Sequence, residues 1–303
     1  MTTSAPASPA PLSGGALNAP VPPRHRRVEH VMGIPVIVEV CDRGFDETAF
    51  DQVFAWLRFV DETFSTYRDD SEISRLNRGE LTLAQTHPSV RSVLRRCESL
   101  RLSTHGYFDI SAPMAALGGG VDPSGFVKGY AVEGAGRLLS RAGAANWCVN
   151  AGGDIRLSGA PEGCDHWRVG IQHPAERLAV AAVLGLRAGA VATSGMYERG
   201  QHILDPRTGL APEGLLSVTI VGPDLAVADA YATAAFAMGR AGAAWAATLR
   251  DHGAIVISDD GTISYSAGVE AYLQDARVPA RDGEMRLACR SHRKERVTSG
   301  GAR

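Results

Sequence analysis

The chain predicts an α+β fold, with mixed or antiparallel sheets flanked by helices, and three observations carry that expectation. Two stretches with apolar residues at helical spacing occupy the first third of the sequence. Short β-branched runs, each bounded by Gly, Pro or Asp, crowd the middle. One long Ala-rich stretch then interrupts the runs, so helices and strands are grouped rather than alternating as βαβ units.

Taken in order, Val31 to Val40 is rich in β-branched residues and reads as a strand. Glu47 to Thr63 places Phe50, Val53, Phe54, Leu57 and Val60 three and four apart, which is one face of a helix. Residues 86 to 103 repeat the pattern with Val90, Val93, Leu94, Cys97 and Leu100, and His87-Pro88 marks the entrance. The segment from Tyr107 to Val127 holds three consecutive glycines and two prolines and reads as a loop. Lys128 to Ala142 reads as a helix closed by Gly143.

Strands follow at 147 to 150, 154 to 158, 167 to 171, 178 to 186 and 190 to 194, a meander-like pattern. The Ala-rich helix spans about Leu225 to Arg250 and breaks near Gly239. A strand at Ala254 to Ser258 then turns through Asp259-Asp260-Gly261 into Ile263 to Tyr265.

Residues 26 to 275 read as one domain, between a Pro/Ala/Ser-rich tail (1 to 25) and a basic, Gly/Ser-ended tail (276 to 303) expected to be disordered. Hydrophobic content of 45%, charged content of 21% and a net charge of -2 describe an ordinary globular protein and give no reason to expect nucleic acid as a partner. No apolar run approaches the roughly 20 residues of a membrane span, and the first residues lack a basic region followed by an apolar core. The expectation is a cytoplasmic protein without membrane insertion. Five scattered cysteines without a Cys-x-x-Cys pair argue against a disulfide framework or a structural zinc site, which fits a reducing compartment.

Among 31 basic residues only two are lysines, and one of them, Lys128, lies mid-chain in Asp122-Pro123-Ser124-Gly125-Phe126-Val127-Lys128-Gly129-Tyr130. A compact ammonium kept in an Arg-biased chain suggests a tight polar pocket; the alternative is chance placement. Asp229 and Thr233 stand four apart on the Ala-rich helix, so a carboxylate and a hydroxyl leave from one face. Both are hard oxygen ligands suited to Mg²⁺, although an exposed acid and a threonine bonded to its own helix would look the same. His202 opens the turn-forming string His202 to Gly209, after Ala192-Thr193-Ser194-Gly195, and the two read as adjacent loops. His202 could exchange protons or donate to a phosphate oxygen, or be a surface residue beside a turn capped by Asp205. The glycines of Asn150-Ala151-Gly152-Gly153-Asp154 allow close backbone approach to a ligand, or a tight turn. Neither Gly-x-Gly-x-x-Gly, nor a P-loop, nor Gly-x-Ser-x-Gly, nor His-Glu-x-x-His occurs, so the common dinucleotide-fold, hydrolase and metalloprotease readings lose ground.

In their order these strings resemble the ApbE family of flavin transferases. The resemblance begins at Met32-Gly33-Ile34 and runs through Phe64-Ser65-Thr66-Tyr67, Ser71 to Asn77, Gly106-Tyr107-Phe108-Asp109 and Lys128 to Val132. It continues through Asn150 to Asp154, Ala192 to Gly195, His202 to Gly209 and Asp229 to Thr233. It implies an ApbE-like fold and Mg²⁺-dependent transfer of the FMN half of FAD to a Thr or Ser hydroxyl of an acceptor flavoprotein, with AMP released. It further implies that Met32, Tyr67, Tyr107, Phe108, Asp109, Asp122, Lys128 and His202 contact FAD. Asp229 and Thr233, with the backbone carbonyls of Gly125 and Ala232, would hold Mg²⁺, and His202, Lys128 and Asp229 would be the catalytic set. The chain departs from the family pattern at Ile34, Pro123-Ser124 and Glu133, and only about a dozen residues separate Asp109 from Asp122. Two other readings keep the same residues: an FAD pyrophosphatase yielding FMN and AMP, and a non-catalytic FAD-binding protein.

Overall fold

The computed structural model describes residues 24–176, 179–195 and 203–274. The expected tails lie outside them, save Arg24 and His25. Where one strand was predicted from Val31 to Val40, the chain forms a hairpin of β1 (His25–Val31) and β2 (Ile34–Val40), with Val31 opposite Ile34. Met32 and Gly33 at its tip have φ of 57° and 72°, the positive pair that a two-residue hairpin loop requires. β1 escapes an apolar reading because its residues reach the core only at Val31. Charge pairs hold it instead, Arg26 to Glu39 and Arg27 to Glu29 and Asp51.

Helices α1 (Ala49–Phe64) and α3 (Pro88–Ser103) match the predicted periodicity, and between them lies a short helix α2 (Glu72–Asn77) that was not anticipated. Helix α4 (Ser124–Arg141) begins a turn earlier than predicted, so Gly125 is helical and Lys128 sits inside the helix rather than at its edge. Next come β3 (Trp147–Ala151), β4 (Asp154–Ser158), β5 (Trp167–Gln172), β6 (Val180–Leu186), β7 (Ala188–Gly195) and β8 (Leu215–Gly222). β8 is missing from the sequence reading although its run of Val218 to Val221 lies between Gly214 and Gly222-Pro223. The Ala192–Gly195 string lies on β7, not on a loop.

The Ala-rich stretch divides into α5 (Leu225–Ala237) and α6 (Arg240–Ala246) at Gly239, whose φ is 58°. β9 (Gly253–Ser258), β10 (Ile263–Tyr265), α7 (Ala267–Glu270) and β11 (Leu273–Gln274) follow. Eight strands form one sheet in the order β1-β2-β3-β4-β7-β8-β9-β10, and β11-β6-β5 form a second; every pairing is antiparallel, so no mixed sheet occurs among the described residues.

Strand alternation divides the core. Val36, Val38, Val149, Ala192, Val218 and Ile220 face the helices, while Ile155, Leu157, Val191, Val221 and Ile255 face the second sheet with Trp167 and Leu184. On the helical side α4 and α5 pack closely. A Cβ built on Gly129 would lie 2.5 Å from Ala226 Cα and 2.7 Å from its nitrogen, so the contact needs a residue without a side chain. Among the described cysteines, Cys41, Cys97 and Cys148 are free and buried.

Two predictions follow from this packing. Gly129→Ala should cost about 1–3 kcal/mol in a urea titration, because the backbone of Ala226 has no flexible end to yield; an unchanged midpoint would mean that the helices separate freely. Burial raises the thiol pKa of Cys41 to about 11 and of Cys97 to about 12, against roughly 8.5 in an unfolded chain. A raised folded-state value gives stability present below the unfolded pKa and lost as pH climbs through the folded one. The urea midpoint should therefore fall as pH rises from about 8.5 to about 12, and less steeply in Cys97→Ala; identical slopes would remove the thiol from the explanation.

Candidate functional site

Two hairpin tips mark one end of the large sheet. Beside the Met32-Gly33 tip lies the β3–β4 tip, Gly152-Gly153, with φ of 60° and 101°; Gly152 N donates to Pro35 O at 3.3 Å. This two-residue turn sets Asp154 opposite Ala151 as the first residue of β4. Asp154 shares its strand face with Arg156 and looks toward α4.

Lys128 reaches across from α4, its Nζ 2.6 Å from Asp154 Oδ2 and 4.0 Å from Asp229 Oδ2 on α5. The other oxygen of Asp154 accepts from Thr193 N at 3.0 Å, which ties β7 to the same carboxylate. One residue on, the Ser194 hydroxyl lies 3.3 Å from Thr233 Oγ1. Gly125 precedes Lys128 by three residues on α4. A Cβ there would lie 3.8 Å from Thr233 Oγ1 and 3.4 Å from the Phe108 ring, so the bare Gly125 backbone borders the threonine hydroxyl.

The structure thus brings together Gly125, Lys128, Asp229 and Thr233, with Phe108 buried behind them. Asp229 is only 3% exposed, so it is not a solvated surface acid, and the Thr233 hydroxyl meets Ser194. Ala232 is fully buried on α5. Asp154 is the participant that the sequence reading gave no role; Ser194 lies in the Thr193-Ser194-Gly195 string, read from the sequence as offering hydroxyls and N–H groups to an anion. The available signal for Asp154 was an acid directly after a Gly-Gly turn.

The remaining predicted residues are more dispersed. Met32 sits at the hairpin tip, partly buried against the core. Tyr67 is 90% exposed. Tyr107 carries the Arg207 guanidinium 4.2 Å from its ring centroid, and Arg207 Nη2 donates to His105 O. Asp109 Oδ1 accepts from Ser111 N and Oγ, and Asp122 Oδ1 from Ser124 N at the start of α4. Asn77 holds the short segment between these acids, pairing through Nδ2 and Oδ1 with the carbonyl and amide of Val121, both at 2.9 Å. Asp122 N closes the same loop on Ile110 O at 2.7 Å. His202 lies outside the described residues; the turn after it is capped by Asp205, whose Oδ1 accepts from Arg207 N.

Within this trio two buried carboxylates, Asp154 and Asp229, face the Lys128 ammonium. No group of three or more His, Cys, Asp or Glu with metal-holding geometry occurs among the described residues.

The family model described as "ApbE family" matches residues 32–119 and 114–257. The chain belongs to the ApbE family. Over 247 residues it is 32% identical to the FAD:protein FMN transferase of Rhodobacter capsulatus, covering 76% of this chain and 42% of that one. It thus spans well under half the length of that relative. It is 27% identical over 273 residues to the FAD:protein FMN transferase of Haemophilus influenzae, covering 69% of this chain and 79% of that one. The crystal structure of the ApbE protein from Thermotoga maritima superposes with a TM-score of 0.74 at 23% identity, covering 84% of this chain and all of that one, so the ApbE fold is shared. No helix among the described residues is long and apolar enough to cross a membrane.

Asp154→Ala leaves Thr193 N without its acceptor and removes the carboxylate 2.6 Å from Lys128. It should lower stability by about 2 kcal/mol in urea unfolding; a stability equal to wild type would mean that the Asp154 contacts contribute nothing.

Proposed function

We propose that this ApbE-family chain transfers the FMN half of FAD to a Thr or Ser hydroxyl of an acceptor flavoprotein, in a reaction that requires Mg²⁺ and releases AMP. The single observation that carries the reading is the convergence of Lys128, Asp154, Asp229 and Thr233 on one sheet end. The names of the Rhodobacter and Haemophilus relatives support the substrate.

The donor set fits a hard divalent cation: a buried carboxylate on Asp229, a hydroxyl on Thr233, and the uncluttered backbone of Gly125 beside it. Asp229, Thr233 and the carbonyls of Gly125 and Ala232 would hold Mg²⁺, which when bound supplies charge neutralisation at the diphosphate. Lys128, held by Asp154, would set its ammonium charge against the diphosphate oxygens. Asp154 keeps that ammonium in place, so little reorganisation is needed as charge develops in the transition state. The acceptor hydroxyl attacks the FMN-side phosphorus and gives its proton to His202 as the proposed base, the bond to the AMP oxygen breaks, and AMP leaves with the electron pair. Positioning supplies most of the acceleration in such a transfer. Met32, Tyr67, Tyr107, Phe108, Asp109, Asp122 and His202 remain the proposed FAD contacts.

The full-length protein with FAD, Mg²⁺ and an acceptor flavoprotein should yield AMP and a covalently flavinylated product in equal amounts. Asp229→Asn and Thr233→Val should each lower the rate by about a hundredfold or more, and Lys128→Arg should impair it because a planar fork cannot replace a compact ammonium. Free FMN without labelled acceptor would point to hydrolysis, and FAD binding with neither product would leave only a binding role.

A further inference from the structure

From α4, Lys128 touches β4 and α5 at once. Five residues on, Glu133 does the same with the charges reversed. Glu133 Oε1 accepts a hydrogen bond from Leu225 N at 2.7 Å and lies 2.8 Å from Arg156 Nε. Arg156 stands two residues beyond Asp154 on the same face of β4, and Leu225 four residues before Asp229 on the same face of α5. The spacings are commensurate: five residues advance α4 by about 7.5 Å and four advance α5 by about 6 Å, while two advance β4 by about 6.6 Å. One trio sets an ammonium against two carboxylates. The other sets a carboxylate against a guanidinium and the positive N-terminal end of α5.

Glu133 is only 8% exposed, so its charge is held by these partners rather than by water. Asp224 secures the same helix end: Oδ1 accepts from Val227 N at 3.0 Å and Oδ2 from Arg96 Nη2 at 3.1 Å. The Asp224 cap fixes α5 to α3, and the Glu133 contact fixes it to α4 and β4, the two elements that carry Lys128 and Asp154.

We infer that Glu133 is a positioning residue which, together with Arg156, sets the register of α5 against α4 and β4 and so holds Asp229 and Asp154 within reach of Lys128. Its kinetic consequence rests on the flavin-transfer reading; its geometric consequence does not.

The test is full-length Glu133→Gln, which keeps an acceptor for Leu225 N and removes the charge facing Arg156. Lysine-selective ¹³C labelling gives two side-chain signals, from Lys128 and Lys294. The Lys128 signal should move in the variant while Lys294 and the far-ultraviolet dichroism stay unchanged, and amide exchange should quicken from Leu225 to Asp229. In the transfer assay kcat per folded molecule should fall about tenfold or more, with KM for FAD nearly constant, and the loss should vanish in an Asp229→Asn background. Glu133→Asp should restore part of the rate; it and Arg156→Lys carry the same readouts if the glutamine variant does not fold. An unmoved Lys128 signal in a folded variant, or an equal fractional loss in the Asp229→Asn background, overturns the inference. If the wild-type protein releases no AMP from FAD, the flavin reading fails by itself, and the Lys128 signal still decides the role of Glu133.

Discussion

The contact between Gly129 and Ala226 sets the distance between α4 and α5, and the site depends on that distance. A lysine side chain has enough rotatable bonds to follow a small displacement, so Lys128 alone would tolerate a wider gap. Gly125 and Thr233 would not, since one contributes backbone and the other a hydroxyl one bond from Cβ. The short-reach partners make a close helix crossing necessary, and an Ala-rich α5 opposite a glycine is the sequence solution.

Strand parity supplies the other half of the arrangement. Asp154, Arg156 and Ser194 point to the helices because their neighbours Ile155, Leu157 and Val191 fill the space under the second sheet. A one-residue slip in β4 would send both charges into that apolar layer, so hydrophobic burial on the far side holds the polar side in register. The cost is a pair of carboxylates, Asp154 and Asp229, kept almost fully from water. Such groups are tolerable where a cation answers them, as the Lys128 ammonium does here.

Much of this was legible in the chain. The periodic apolar residues of α1 and α3, the break at Gly239, the strands β3 and β4, and the Asp229/Thr233 face followed from spacing alone, because each is governed by local geometry. What was missed depends on tertiary context. β1 is an edge strand held by ion pairs, so it has no apolar run to detect, although the Met32-Gly33 dipeptide between extended segments was a hairpin clue. β8 carried a readable β-branched run and was simply overlooked beside the Ala-rich stretch. The start of α4 was hidden because Gly125 and Pro123 look like loop residues. Asp154 and Glu133 matter through partners distant in sequence, and no spacing rule joins residue 128 to 154 or 133 to 225.

The rims of the large sheet bear on what can pair with it. One outer strand, β10, is three residues long, and the other, β1, presents Arg26, Arg27 and Glu29 in paired charges. Short or charged borders are poor templates for an incoming extended segment. An incoming extended segment thereby finds little backbone-to-backbone purchase along the borders of this sheet, which leaves side chains rather than main-chain amides to choose what docks there.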